Sequence, residues 1–122
     1  MSVAGVLNKK IAELFKLRNN IVYIGEQNIE HMRSKHPDEY ELYYEEISSI
    51  INAPDYVGKN LLNDSIELVK EFYSEEKKCY IKVAIRMSNN GTLFAKTLYK
   101  LNDKKFEYQL SQGNYICVKK HS

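Results

Sequence analysis

The stretch Lys77-Lys78-Cys79-Tyr80-Ile81-Lys82-Val83-Ala84-Ile85-Arg86-Met87-Ser88-Asn89-Asn90-Gly91-Thr92-Leu93-Phe94-Ala95-Lys96-Thr97-Leu98-Tyr99-Lys100 decides the fold. Its first half is apolar at 79, 81, 83, 85 and 87, the period of a half-buried strand. Asn90-Gly91 is a strong hairpin signal, because both central residues of a type I′ turn need positive φ. A two-residue loop there predicts pairing of Met87 with Phe94 and Val83 with Leu98 on the core side. The same register sets Lys82 opposite Tyr99, Ala84 opposite Thr97 and Arg86 beside Ala95 on the other side. Two cations, a hydroxyl and a phenol then share one face, able to hold a phosphodiester and donate protons to it. The competing reading is a solvated outer face that blunts edge pairing. Lys96 breaks the pattern by falling on the core side near Ile85, which calls for a bulge or a rim position with its ammonium in water.

The rest of the chain sets this hairpin in an α+β context. Val3, Leu7, Ile11, Leu14 and Phe15 recur at helical intervals, so Val3 to Leu17 reads as an amphipathic helix. Ile21–Ile24 is a short β-prone run closed by Gly25. Asn28 can cap a helix carrying Ile29 and Met32, which ends before Pro37 because a proline drives its predecessor from the α region. Pro37, Asp38 and Glu39 suit a helix start, and Tyr40, Tyr43, Tyr44, Ile47, Ile50 and Ile51 form one apolar stripe. Asn52-Ala53-Pro54 stops it. Ile66 to Phe72 is a further strand. The tail is ambiguous between strand and helix around Phe106 and Leu110, with a turn at Gln112-Gly113-Asn114 and a last strand from Tyr115 to Val118. Helices first and strands after predict N-terminal helices packed on a C-terminal antiparallel sheet of about four strands.

Length and composition bound the function classes. The 122 residues make one expected domain, 1–122, and the 43% hydrophobic and 28% charged content is that of a globular protein rather than a disordered or membrane-spanning one. No apolar run approaches the ~20 residues of a membrane span, and Met1-Ser2-Val3-Ala4 does not open a signal peptide, so a cytoplasmic protein without a membrane partner is expected. A net charge of +2 is too weak to argue for nucleic acid by itself, so phosphate recognition must come from local arrangement. Cys79 and Cys117 lack metal-ligand spacing and read as free thiols.

His31 and His36 flank the junction before Pro37. On an unbroken helix they point about 140° apart, but the break lets His36 turn toward His31, and the pair can then act as general base and acid. Histidine suits that work because its ordinary pKa of about 6.5 leaves both forms populated near neutrality. His36 can instead simply cap the following helix, and a zinc site is a competitor that no further Cys or carboxylate ligand completes.

Ile29-Glu30-His31-Met32-Arg33-Ser34-Lys35-His36-Pro37, followed by Ile47-Ser48-Ser49-Ile50-Ile51-Asn52-Ala53-Pro54-Asp55-Tyr56-Val57, resembles the motif of small phage and mobile-element nucleases grouped with Barnase, EndoU, the tRNase colicins and RelE. The resemblance covers about Ile21 to Leu101. It implies a metal-independent ribonuclease that cleaves RNA, tRNA included, by attack of the 2′-hydroxyl on the adjacent phosphorus, leaving a 2′,3′-cyclic phosphate. A phage or prophage toxin with an inhibitor or immunity protein as partner, and no cofactor, goes with that picture. Carried over, it makes His31 a catalytic-site residue with His36 as second candidate, Thr97 and Tyr99 polar site positions, and Lys82 and Arg86 the basic positions that bind substrate, to which we add Lys96. No glutamate is singled out as catalytic, Glu67 and Glu71 being eligible only by strand parity. The alternative is a non-catalytic module of a mobile element that binds RNA or protein.

Overall fold

The structure is a computed structural model, and it describes residues 1–119. A single sheet of seven strands runs β1 (Ser2–Val6), β2 (Ile21–Ile24), β6 (Leu93–Lys100), β5 (Lys77–Met87), β4 (Ile66–Ser74), β3 (Tyr56–Lys59) and β7 (Tyr115–Cys117), in that spatial order. Five α-helices accompany it: α1 (Lys9–Leu14), α2 (Glu26–Lys35), α3 (Pro37–Tyr43), α4 (Ile47–Asn52) and α5 (Asp103–Ser111). All strand neighbours are antiparallel except β2 with β6. The expected sheet of about four C-terminal antiparallel strands is therefore wrong: the sheet is larger, mixed, and begins at the N-terminus.

The extra strands escaped because neither shows clean alternation. In β1 the register slips between Val3 and Gly5, so Ala4 and Gly5 are both buried and the period of two is lost, leaving Val3, Leu7 and Ile11 to imitate a helix. α4 crosses closely at that point: a Cβ on Gly5 would lie 2.8 Å from the Cβ of Ile51. Strand β3 is buried on both faces at Tyr56, Val57 and Gly58, and such a strand reads as a short apolar run rather than an alternation. The stripe from Tyr40 to Ile51 is also not one helix, since a 3-10 turn at Tyr44–Glu46 separates α3 from α4. Its residues Tyr40, Ile47, Ile50 and Ile51 are nonetheless buried as a set.

The central hairpin keeps its predicted pairs Val83–Leu98, Ala84–Thr97 and Lys82–Tyr99. Near its tip it differs. Asn90 does not take positive φ. Gly91 does, at 87°, and its N–H donates to the Ser88 carbonyl at 2.9 Å, giving a loop of Asn89, Asn90 and Gly91. Met87 consequently pairs with Leu93 and Arg86 with Phe94. A bulge between Ala84 and Ile85 takes up the difference, leaving Lys96 as the extra residue and explaining its misfit with the core side.

One face of the sheet carries the main core, including Leu68, Ile81, Val83, Ile85 and Leu98 against Met32, Ile50 and Ile51 from the helices. Each such fully buried side chain contributes roughly 1.5–3 kcal/mol. The opposite face is covered only in part: α5 lays Phe106 on Tyr56, Val69 and Tyr80 as a small aromatic cluster. Beside that cluster the face turns polar. No helix among the described residues is long and apolar enough to cross a membrane.

Candidate active site

Strand register builds the polar face from two rows. Tyr56, Val69, Lys82 and Tyr99 lie side by side across β3, β4, β5 and β6, and the next row is Tyr115, Gly58, Glu67, Ala84 and Thr97 from β7 to β6. Glu67 and Lys82 sit diagonally in these rows. The Lys82 ammonium meets Glu67 Oε2 at 3.0 Å, with only 8% of either side chain exposed. Burying two charges is expensive and is repaid only when the remaining polar valences are filled. On the carboxylate they are: Glu67 Oε2 also accepts from the Asn60 amide at 3.1 Å, and Oε1 accepts from the Tyr115 hydroxyl. The Lys82 ammonium in turn lies 4.3 Å from the centroid of the Tyr99 ring.

The helical layer contributes His36. It sits at the break between α2 and α3 with φ −140° and ψ 65°, its backbone N–H closing α2 and its carbonyl accepting from Tyr40. Its side chain makes no cap hydrogen bond. The imidazole instead stacks on Tyr99, with centroids 4.8 Å apart and planes 23° from parallel. An imidazole, a phenol, an ammonium and a carboxylate thus form one continuous chain of contacts. Tyr99 and Tyr115 also border a cleft of ≈ 340 Å³ whose far wall is the Asn102, Lys105 and Gln109 side of α5.

The other expected site residues are placed differently. Thr97 is half-buried one row from Tyr99 on the same face. Arg86 is exposed and shares a second cleft, of ≈ 370 Å³, with Lys96 and Asn28. His31 is exposed on α2, beside the fully buried Met32, and is not part of the contact chain that His36 enters. Sequence reading passed over Asn60, Lys105 and Tyr115, and reached Glu67 only by parity. Tyr115 had one available signal, its place in a short β-prone run after Gly113, but its reach across β3 to β4 had none.

The electrostatics follow from this packing. Burial raises the Glu67 carboxyl, but the Tyr115 hydrogen bond, the Lys82 charge and the Asn60 amide outweigh it, and the carboxyl ends below its ordinary range. Tyr115 is pushed well above the usual phenol range by burial and by donation to Glu67, so it stays protonated. A second carboxylate, Glu71, is likewise lowered: burial is outweighed by the Lys119 ammonium at 2.7 Å and the Tyr56 hydroxyl at 2.8 Å. Because both folded carboxyls lie below their unfolded values, the stability they add is complete above the ordinary carboxylate range near pH 4 and is lost as pH falls through the folded values. Urea midpoints should hence drop on acidification below about pH 4, and the drop should be smaller in Glu67→Gln. An equal acid dependence in that variant would remove Glu67 as a source.

Among the described residues there is no grouping of three or more His, Cys, Asp or Glu side chains with the spacing of a metal site. The main helical layer packs on one side of the sheet and α5 covers part of the other, an α+β arrangement that leaves Lys82, Glu67 and Tyr99 together beside the aromatic cluster. The family model described as phage-Barnase-EndoU-ColicinE5/D-RelE like nuclease3 matches residues 1–108, and the chain belongs to that family. No curated protein and no solved structure matches the chain.

Proposed function

We propose that this nuclease-family chain is a metal-independent RNA endonuclease acting in the cytoplasm, a toxin or conflict effector of a phage or other mobile element. The observation that carries the reading is the Tyr99 ring, which stacks on His36 and also lies 4.3 Å from the ammonium of the buried Lys82–Glu67 pair. General acid–base transfer and a fixed cation are the parts that phosphodiester transesterification needs.

In the proposed step the base removes the 2′-proton, the O2′–P bond forms, the P–O5′ bond breaks, and the acid protonates the departing O5′. We assign proton transfer to His36 and Tyr99, which touch, and stabilisation of charge on the phosphoryl oxygens to Lys82. Glu67 is a poor base because its oxygens already accept from Tyr115, Lys82 and Asn60, and its role is to hold Lys82. Thr97 is a donor to a non-bridging oxygen. Arg86 and Lys96, which line a separate cleft toward the hairpin tip, grip a phosphate further along the strand. An RNA is the substrate because the nucleophile is its own 2′-hydroxyl.

The test is incubation of purified protein with matched RNA and DNA strands in EDTA. Scission of RNA alone is expected. Salt-sensitive retention of RNA without scission would point to a binding module instead, and scission of both strands, or of neither until a divalent ion is added, would overturn the mechanism.

A further inference from the structure

The strand that brings Tyr115 to Glu67 lies outside residues 1–108, the span matched by the family. Its docking has a specific requirement on β3. A Cβ at Gly58 would stand 2.6 Å from the Asn114 carbonyl oxygen and 2.8 Å from Cδ1 of Tyr115, so the phenol ring crosses β3 over bare backbone. The Phe106 ring backs it at 5.0 Å between centroids. Beyond the strand, Lys119 fastens the chain to Glu71 at 2.7 Å and lies 5.3 Å from the centre of the Tyr56 ring. The two oxygens of Glu67 are divided accordingly: Oε1 takes the Tyr115 hydroxyl, while Oε2 takes Lys82 and Asn60.

We infer that Tyr115 is a positioning residue of the site, a phenol supplied by β7 that locks the Glu67 carboxylate so that its other oxygen fixes the Lys82 ammonium under Tyr99. This inference rests on the reading of that face as the place of RNA cleavage. Its basis is geometric: a glycine floor, a ring laid across it, and one hydrogen bond that reaches over β3 to β4. Removing the hydroxyl leaves a buried carboxylate oxygen without its donor. Glu67 then binds a proton more readily and its hold on Lys82 weakens.

The experiment compares wild type, Tyr115→Phe and Gly58→Ala by two readouts. In carboxyl ¹³C NMR titrations of the Glu side chains, Tyr115→Phe should move the Glu67 midpoint upward toward the ordinary carboxylate range. In RNA cleavage it should shift the acidic limb of the pH profile the same way and lower the rate about 10- to 100-fold, the worth of one hydrogen bond to a charged group. Gly58→Ala should reproduce both changes by displacing the ring. Glu67 titration and pH profile unchanged in a cleaving Tyr115→Phe protein would overturn the inference and leave the site intact. Absence of cleavage by the wild type would overturn the reading of the site and, with it, the positioning role of Tyr115 in cleavage, and the titration identifies that case because it needs no substrate.

Discussion

Lys82→Met should abolish RNA cleavage and cost about 3–5 kcal/mol of stability, the usual penalty for removing one partner of a buried ion pair. Both side chains of the pair are 8% exposed, so solvent screens little of the interaction. Glu67 would keep Tyr115 and Asn60 as donors but face the interior without a compensating cation. The double variant Lys82→Met/Glu67→Gln removes both charges and keeps an acceptor for Tyr115, and it should regain much of the lost stability while staying inactive. Urea denaturation of the single and double variants beside wild type measures the coupling. A midpoint in Lys82→Met equal to wild type would mean that the pair is not held as described, and full cleavage by that variant would remove the cation from the chemistry.

His36→Ala should lower the rate of RNA cleavage by ~100-fold or more, in the range of a general acid–base contribution. The expectation is specific to His36 because its imidazole touches Tyr99, whereas His31 projects from an exposed position on α2. His36→Gln should be nearly as impaired, since it keeps polarity without an ionisable ring. Stability should change little, because the His36 side chain caps no helix and is only half-buried. Rates of His31→Ala and His36→Ala measured side by side decide which histidine moves the proton. A large loss in His31→Ala with none in His36→Ala would reverse the assignment.

The legible part of this fold was the part with regular alternation. Cys79 to Met87 is apolar at every second residue, and the resulting hairpin pairs Lys82 with Tyr99 and Ala84 with Thr97 as the pattern requires. The turn departs from the pattern: Asn90-Gly91 fits a two-residue loop, while the chain uses Gly91 alone in the left-handed region and then restores register through the bulge at Lys96. Strand β1 was hidden by a bulge that buries Ala4 and Gly5 together, and β3 by burial on both sides. In the site, same-face residues of one hairpin could be grouped from the sequence, and His36 could be freed by the proline after it. Glu67 could not be ranked above Glu71, since both share strand parity and both are diagonal to Lys82; only the contacts in the fold separate them, Glu67 taking Lys82 and Glu71 taking Lys119. Tyr115 joins through a contact 48 residues away in sequence, which no local pattern encodes.

In the proposed reaction His36 and Tyr99 move the protons, and Lys82, held by Glu67, steadies the charge while phosphorus passes from a 5′-oxygen to a neighbouring 2′-oxygen. Mass spectrometry of the termini left on a defined RNA after incubation in EDTA reads that chemistry directly. Fragments ending in a 2′,3′-cyclic phosphate and a 5′-hydroxyl, formed by wild type and absent with Lys82→Met, are predicted. Fragments carrying a 5′-phosphate and a 3′-hydroxyl would contradict it.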